Sequence, residues 1–316
     1  MDKMFFDKLD LGNIISFEKL SGGITNEMYK VTTDRGSFAL KILNNSDPSN
    51  EHYNKIEKSE KIASIAYDNG INAVISLSKD DKHIRDIDDK KELIYNYLSA
   101  KVKLSNEITL DNVSVIASTL AKLHKIKVDE SFSTKYTKNN YKYFYDKLKD
   151  SDSEYAKFFI DKFNLLEEIY NKAYDSYLNL KDKPTYIHKD LNRKNIMWED
   201  EVPYIIDWET SEVGHPSIDF FNSAFFMSHD VEENKYDAFV SSYLKENTID
   251  IDNGVYAGII EECNWLYFSL NRLYSDDLNE VFLGKESIIP SITQIIDYYN
   301  KIPIMLKIIN KYRTNK

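Results

Sequence analysis

A single cysteine, Cys263, in 316 residues excludes an intramolecular disulfide and a cysteine-based metal cluster. Its neighbours, Glu261-Glu262-Cys263-Asn264-Trp265, form a helical pattern, so the thiol reads as a core or groove-facing group rather than a nucleophile. Glycine and proline are scarce, at 9 and 6, which excludes collagen-like and low-complexity chains. No apolar run approaches the ~20 residues of a membrane span. The opening Met1-Asp2-Lys3-Met4-Phe5-Phe6-Asp7 has no apolar stretch of signal-peptide length. A cytoplasmic chain with no membrane partner is expected. A basic excess is missing too: the net charge is −11, whereas a nucleic-acid backbone asks for a basic footprint. Acidity suits a cationic substrate, although it also serves solubility.

What the sequence does hold is a packed interior. Hydrophobic residues make up 42%, with 23 Tyr and 16 Phe, which argues against disorder. The length is enough for two domains of ~150 residues, each with its own core.

Periodicity divides the chain. Residues 12–44 read as strand, turn, strand, turn, strand, with turns at Ser21-Gly22-Gly23 and Asp34-Arg35-Gly36. Residues 49–68 switch to a helical period, with Ile56, Ile62, Ala63, Ile65 and Ala66 as the stripe and Asn69-Gly70 as the stop. Strand-like segments follow at Ala73–Leu77, Lys82–Ile87 and Leu93–Leu98. Beyond Asp111 helices dominate, at a helix ending in His124 and at about 139–149, 153–179, 231–245, 253–275 and 287–312. The fold expected is α+β, with a small N-terminal lobe (1–100) and a larger, mainly helical lobe (101–316).

One stretch among the helices is different. Tyr186-Ile187-His188-Lys189-Asp190-Leu191-Asn192-Arg193-Lys194-Asn195 is followed by Tyr204-Ile205-Ile206-Asp207-Trp208-Glu209. Asp190 and Asn195 are close enough in sequence for one tight loop to point both inward. Asp207 leaves a short apolar strand, a position that aims a carboxylate from buried backbone into a cleft. Asn195 and Asp207 offer hard oxygen ligands suited to Mg²⁺, with phosphate and water completing the octahedron. Asp190 is left to accept or orient a proton. Metal ligands and a base are what phosphoryl transfer needs.

The pattern His-x-Asp-x-x-x-x-Asn followed by apolar-apolar-Asp resembles the aminoglycoside phosphotransferase and choline kinase-like superfamily, which shares its fold with the protein kinases. Other stations appear in order over nearly the whole chain: Ser21-Gly22-Gly23-Ile24-Thr25-Asn26, Ala39-Leu40-Lys41-Ile42, Leu120-Ala121-Lys122-Leu123-His124 and Gly214-His215-Pro216-Ser217-Ile218-Asp219. The resemblance implies a bilobal, protein kinase-like fold whose N-terminal lobe is a five-stranded antiparallel sheet with one helix. It also implies a phosphotransferase using Mg²⁺ and ATP, with GTP open, on a hydroxyl of a small molecule, in a chain taken as monomeric.

On that resemblance Ser21, Gly22, Gly23 and Thr25 would meet phosphates, the glycines because they bring no Cβ. Lys41, the only cation in the apolar strand Phe38–Leu43, would bind the α/β phosphates. Its carboxylate partner is expected on the following helix, with Glu60 the choice and Glu57 the reserve. Backbone at Tyr95 or Tyr97 would hold the nucleobase. Asp190 is the expected base, His188 and Asp219 support its loop, and Asn195 and Asp207 bind the metal. Protein kinases usually carry Lys two residues after the base, and Phe-Gly after the metal Asp. Here those places hold Asn192 and Trp208-Glu209, which points to a small-molecule kinase. Acceptor-pocket candidates are Glu209, Glu261, Glu262, Trp265 and Asp276, with Tyr267, Phe268, Tyr274 and Asp277 near them. Their carboxylates would pair with amines of an aminoglycoside. Their aromatics would instead enclose a quaternary ammonium such as choline. The carboxylate reading is favoured. A catalytically inactive nucleotide-binding relative is the reading from another class.

Overall fold

The computed structural model describes residues 10–20, 26–43, 50–87, 90–128 and 137–313. By its internal contacts the chain forms two compact units. The first is Met1–Val102 with Lys194–Ser211, and the second is Lys103–Arg193 with Glu212–Lys316. A cut near residue 100 is close to the first crossing. Lys194–Ser211 joins the first unit because its strands pair there, as described next.

The first unit holds a five-stranded antiparallel sheet in the order β1-β2-β3-β5-β4. Its strands are β1 (Ile14–Leu20), β2 (Glu27–Thr33), β3 (Gly36–Leu43), β4 (Arg85–Ile87) and β5 (Lys90–Asn96). In β3 burial alternates as the side-chain period of two requires, so Phe38, Leu40 and Ile42 enter a core with Val31 and Ile94. Lys41 therefore points to the other face, where helix α1 (Asn50–Asp68) packs Ile56 against Leu43 and Leu93. Ala73–Leu77 is not a sheet strand. It makes only isolated bridges, Ala73 parallel to Ile205 and Ser76 antiparallel to Tyr95.

A second small sheet completes this unit, with β8 (Ile196–Glu199) between β6 (Lys101–Val102) and β9 (Val202–Ile205). The Ile205 N–H donates to the Asn72 carbonyl and its own carbonyl accepts from Val74, both at 2.8 Å. These bonds tie the β8–β9 hairpin to the segment following α1.

The second unit is helical apart from the short pair β7 (Thr185–Ile187) and β10 (Glu212–Gly214). Its helices are α2 (Leu110–Leu123), α3 (Tyr141–Leu148), α4 (Glu154–Leu178), α5 (Pro216–Met227), α6 (Glu233–Leu244), α7 (Ile251–Ala257), α8 (Ile260–Arg272) and α9 (Leu278–Ile309). A reciprocal cap starts α2: Thr109 Oγ1 accepts from the Asn112 N–H, and Asn112 Oδ1 from the Thr109 N–H, both at 3.1 Å. In α4 the buried stripe Ala156, Phe159, Phe163, Leu166, Tyr170 and Ala173 has helical spacing. Helix α5 has no such stripe: Ile218, Phe220, Phe221, Ala224 and Phe225 are all buried around it. The single helix expected at 253–275 is two, broken at Gly258. A Cβ there would stand 2.5 Å from the Tyr298 hydroxyl and 2.6 Å from Phe221 Cβ. Among the described residues no helix is long and apolar enough to cross a membrane.

Candidate functional site

In the first unit the candidate residues gather around Lys41. Its Nζ lies 3.1 Å from Asp207 Oδ1 and 2.5 Å from Glu209 Oε1, with its side chain only 12% exposed. Burial works to lower the lysine's pKa. The charges of Asp207 and Glu209, the hydrogen bond with Glu209 and the more distant charge of Glu60 outweigh it, so the ammonium is held above its usual value.

Both anions come from one short stretch. Asp207 takes the left-handed conformation (φ 61°) and opens the turn Trp208–Thr210. Asp is among the few side chains that tolerate this region. The turn is pinned by Trp208, buried, whose ring N–H donates to the Ile205 carbonyl at 3.1 Å. The turn packs on α1. The sequence reading gave Glu209 to the acceptor pocket; its carboxylate instead lies on Lys41 and accepts from the Asn26 amide at 3.2 and 3.3 Å.

Glu60 makes no ion pair with Lys41, which is directed to Asp207 and Glu209. The buried Glu60 accepts from the Tyr95 hydroxyl at 2.7 Å. Burial pushes its pKa up to about 6, against the pull of the Ser76 and Tyr95 hydrogen bonds and the charge of Lys41. Glu57, the reserve, is engaged elsewhere, accepting the backbone N–H groups of His83 (2.8 Å) and Ile84 (2.9 Å). Tyr95 is a ladder residue of β5, opposite Ala39, with its side chain on Glu60. The Tyr97 N–H donates to the Ser37 carbonyl at 3.0 Å, so that donor is engaged within the sheet. Ser21, Gly22, Gly23 and Thr25 lie outside the described residues.

Asn195 and Asp207 flank the open end of the β8–β9 hairpin. Asn195 directly precedes β8, and its carbonyl accepts from the Ile206 N–H at 3.0 Å, next to Asp207. Their side chains supply two hard oxygens. Among the described residues no group of three or more His, Cys, Asp or Glu is placed to hold a metal. A donor set this small fits a Mg²⁺ ion that takes most of its ligands from phosphate and water.

In the second unit Asp219, fully buried on α5, is the centre. One carboxylate oxygen accepts the His188 N–H at 2.7 Å and the other accepts the Lys189 N–H at 2.9 Å. His124, at the end of α2, adds a third contact through Nε2 at 3.1 Å, while its Nδ1 meets the Tyr243 hydroxyl at 2.6 Å. Burial works to raise the Asp219 pKa, but the hydrogen bond and charge of His124 and the charge and N–H of His188 hold it below its usual value. The brace fixes the loop with Lys189 in the left-handed conformation, φ 70°.

Asp190, one residue on, accepts from the Asn192 side-chain amide at 2.6 Å. The His188 ring accepts the Asp190 N–H at 3.4 Å. His124 and Asn192 were visible in the sequence, one as the end of a helix and the other as a departure from the protein kinase pattern. Their contacts to Asp219 and Asp190 had no signal there.

Lys189 Nζ lies 3.1 Å from Glu212 on β10 and 3.5 Å from Glu261 on α8. Burial, then the charge of Asp190, push the neighbouring Glu262 up to about 7, against the amide of Asn222. Glu261 is raised as well, by burial and then by the charge of Glu262. Asp190, Glu261 and Glu262 thus share one electrostatic neighbourhood. Trp265 is one turn further along α8, and its ring and that of Phe268 are covered by the Arg272 guanidinium at 5.4 and 4.4 Å. The structure does not bring Asp276 to this group: it is exposed beyond the far end of α8. That end is about 16 Å from Glu261 at 1.5 Å per residue.

A sheet backed by one helix, a buried strand lysine facing an Asp, and a braced His-x-Asp loop define a protein kinase-like phosphotransferase. The chain belongs to the phosphotransferase enzyme family, whose model matches residues 16–253. No curated protein matches it. Among solved structures, spectinomycin phosphotransferase in complex with ADP and spectinomycin is 14% identical with a TM-score of 0.68, covering 94% of this chain and 99% of that one. An ethanolamine kinase from Plasmodium vivax is 17% identical with a TM-score of 0.60, covering 87% and 82%. A choline kinase from Cryptosporidium parvum is 14% identical with a TM-score of 0.60, covering 93% and 91%. At these identities the likeness speaks for the fold.

Proposed function

We propose that the protein moves the γ-phosphoryl group of ATP or GTP to a hydroxyl of an amine-bearing small molecule of the aminoglycoside kind. Nucleotide binding falls to the first unit, with Lys41 on the phosphates and Asn195 and Asp207 holding Mg²⁺. The ion, when bound, neutralises charge on the transferring phosphate. Acceptor binding falls to the second unit. The observation that carries the reading is the presentation of Asp190: Asp219 fixes the two preceding backbone N–H groups, and Asn192 orients the carboxylate. A carboxylate so placed accepts or orients the proton of an attacking hydroxyl.

The amine preference rests on Glu262 beside Asp190, a pair of acids with a shared field. A quaternary ammonium cage built from Trp265 and Phe268 finds less support, because Arg272 already occupies their faces.

The test is ADP release with Mg-ATP and Mg-GTP against aminoglycosides, choline, ethanolamine, sugars and amino alcohols. Asp190→Ala is the blank, expected to bind nucleotide and lose at least about a thousandfold in turnover. Turnover on choline alone would sink the acceptor assignment. Intact nucleotide binding with silence on every acceptor would support an inactive relative. Near-normal turnover by Asp190→Ala would remove Asp190 as the base.

A further inference from the structure

We infer that Lys189 is a specificity-determining residue: its ammonium fills a cation site between Glu212 and Glu261, so an acceptor brings its amine to Glu262. This holds on the reading of the second unit as the acceptor side. It narrows the acceptor to one with a single amine beside the reacting hydroxyl.

Two carboxylates from distant parts of the chain, Glu212 on β10 and Glu261 on α8, converge on Lys189 Nζ at 3.1 and 3.5 Å. All three side chains are nearly buried, at 13 to 16% exposed. A point between two acids held out of bulk water favours a cation strongly, because an uncompensated charge there is costly. An acceptor's ammonium would seek the same point, and the chain fills it from within. Lys189 is left-handed, φ 70°, a conformation that glycine takes with no Cβ in the way. Glycine would satisfy the path of the loop. Only a long cation also satisfies the two acids.

Glu262 is the acid coupled to the expected base. It follows Glu261 on α8, accepts from the Asn222 amide at 3.5 Å and lies in the field of Asp190. An amine bound there stands in the neighbourhood of Asp190. A second amine on the same acceptor, reaching for Glu261 or Glu212, meets Lys189 as a like charge.

One arm of the test needs no acceptor. Lys189→Ala removes the carbon stem and ammonium that n-propylammonium carries. The melting temperature of this variant should therefore rise saturably with n-propylammonium chloride. No such rise should appear in wild type, in Lys189→Arg, or in Lys189→Ala combined with Glu261→Gln. Tetramethylammonium, which has no N–H to donate, should not reproduce it. Should Lys189→Ala not fold, Lys189→Gly, free of the left-handed strain, takes its place with n-butylammonium. The other arm compares kcat/KM for a monoamine amino alcohol and for an aminoglycoside with several amines. In Lys189→Ala the ratio should move about tenfold towards the aminoglycoside, through KM more than kcat. Lys189→Arg should keep the wild-type ratio.

A Lys189→Ala melting temperature indifferent to n-propylammonium overturns the cation site. A saturable rise with an unchanged acceptor ratio keeps the site and rejects its part in selection, which overturns the proposal. Wild type silent on every acceptor would reject the phosphotransfer reading and the selection role with it. The alkylammonium arm would still decide whether Glu212 and Glu261 form a cation site.

Discussion

Lys41 and Lys189 are both nearly buried, and each faces two carboxylates within 3.5 Å, yet they are built in opposite ways. Lys41 stands on a regular strand, and both of its partners come from one three-residue stretch, Asp207 to Glu209. Lys189 stands on a left-handed loop residue, and its partners come from β10 and α8, far apart in the chain. The first cluster takes both anions from one turn, pinned by the buried Trp208 and packed on α1, so they reach the strand lysine together. The second has a strained cation clamped from two directions, which suits a loop that must not move.

If that contrast holds, the largest effect comes from removing the loop's brace. Asp219→Ala leaves the buried His124 ring and two backbone N–H groups without their acceptor, for an expected loss of about 3–5 kcal/mol in urea unfolding. Asp219→Asn, which keeps one accepting oxygen, should lose less. A loss below about 1 kcal/mol in the Ala variant would mean that the loop holds itself, and the contrast would fail.

A middle-sized effect should appear at Glu262 and depend on pH. Its folded-state pKa of about 7 is above the ordinary carboxylate value, so the folded protein binds the proton more tightly than the unfolded chain. Stability must then fall as pH rises from about 4.5 to about 7, and the loss persists above that. Glu262→Gln mimics the neutral form. It should match wild type near pH 4.5 and exceed it by roughly 2–3 kcal/mol at pH 7.5. Parallel stability curves for the two proteins would show that Glu262 is not held at raised pKa.

The smallest effect belongs to the first unit. Tyr95→Phe removes one hydrogen bond to Glu60 and should cost about 1 kcal/mol, with the KM for Mg-ATP little changed if Glu60 is not the lysine's holder. A tenfold rise in that KM would return Glu60 to the centre of the site.

These clusters also differ in how far the sequence exposed them. Lys41 was legible because strand alternation fixes which face a residue takes, and a lone cation among Phe38, Leu40 and Ile42 stands out. The helical remainder was legible from its apolar period of about 3.6, and the five-stranded antiparallel sheet from the family resemblance. Glu209 was not: only the left-handed turn at Asp207 and the packing of Trp208 decide where its carboxylate goes. Glu60 was expected on Lys41 because the resemblance places a carboxylate partner on the following helix, but one of its oxygens accepts from the Tyr95 hydroxyl instead. Helix α5 escaped notice because burial on all sides leaves it without a stripe. Ala73–Leu77 has a strand-like composition, yet it divides its pairing between Ile205 and the β5 residues Ile94 and Tyr95, so no continuous ladder forms. Asp219 was recognised by motif, while its partner His124 lies 95 positions earlier, a distance over which no local pattern carries information.

The path of the backbone has a consequence for synthesis. The chain leaves the first unit after Val102 and returns at Lys194. A ribosome has therefore made the whole N-terminal sheet long before Ile205 can receive Asn72 and Val74, or Asp207 and Glu209 can meet Lys41. Throughout the intervening 91 residues, Lys103–Arg193, the nascent sheet carries a lysine whose counter-charges do not yet exist. The order of translation thus keeps this unit unfinished until both of its pieces have emerged.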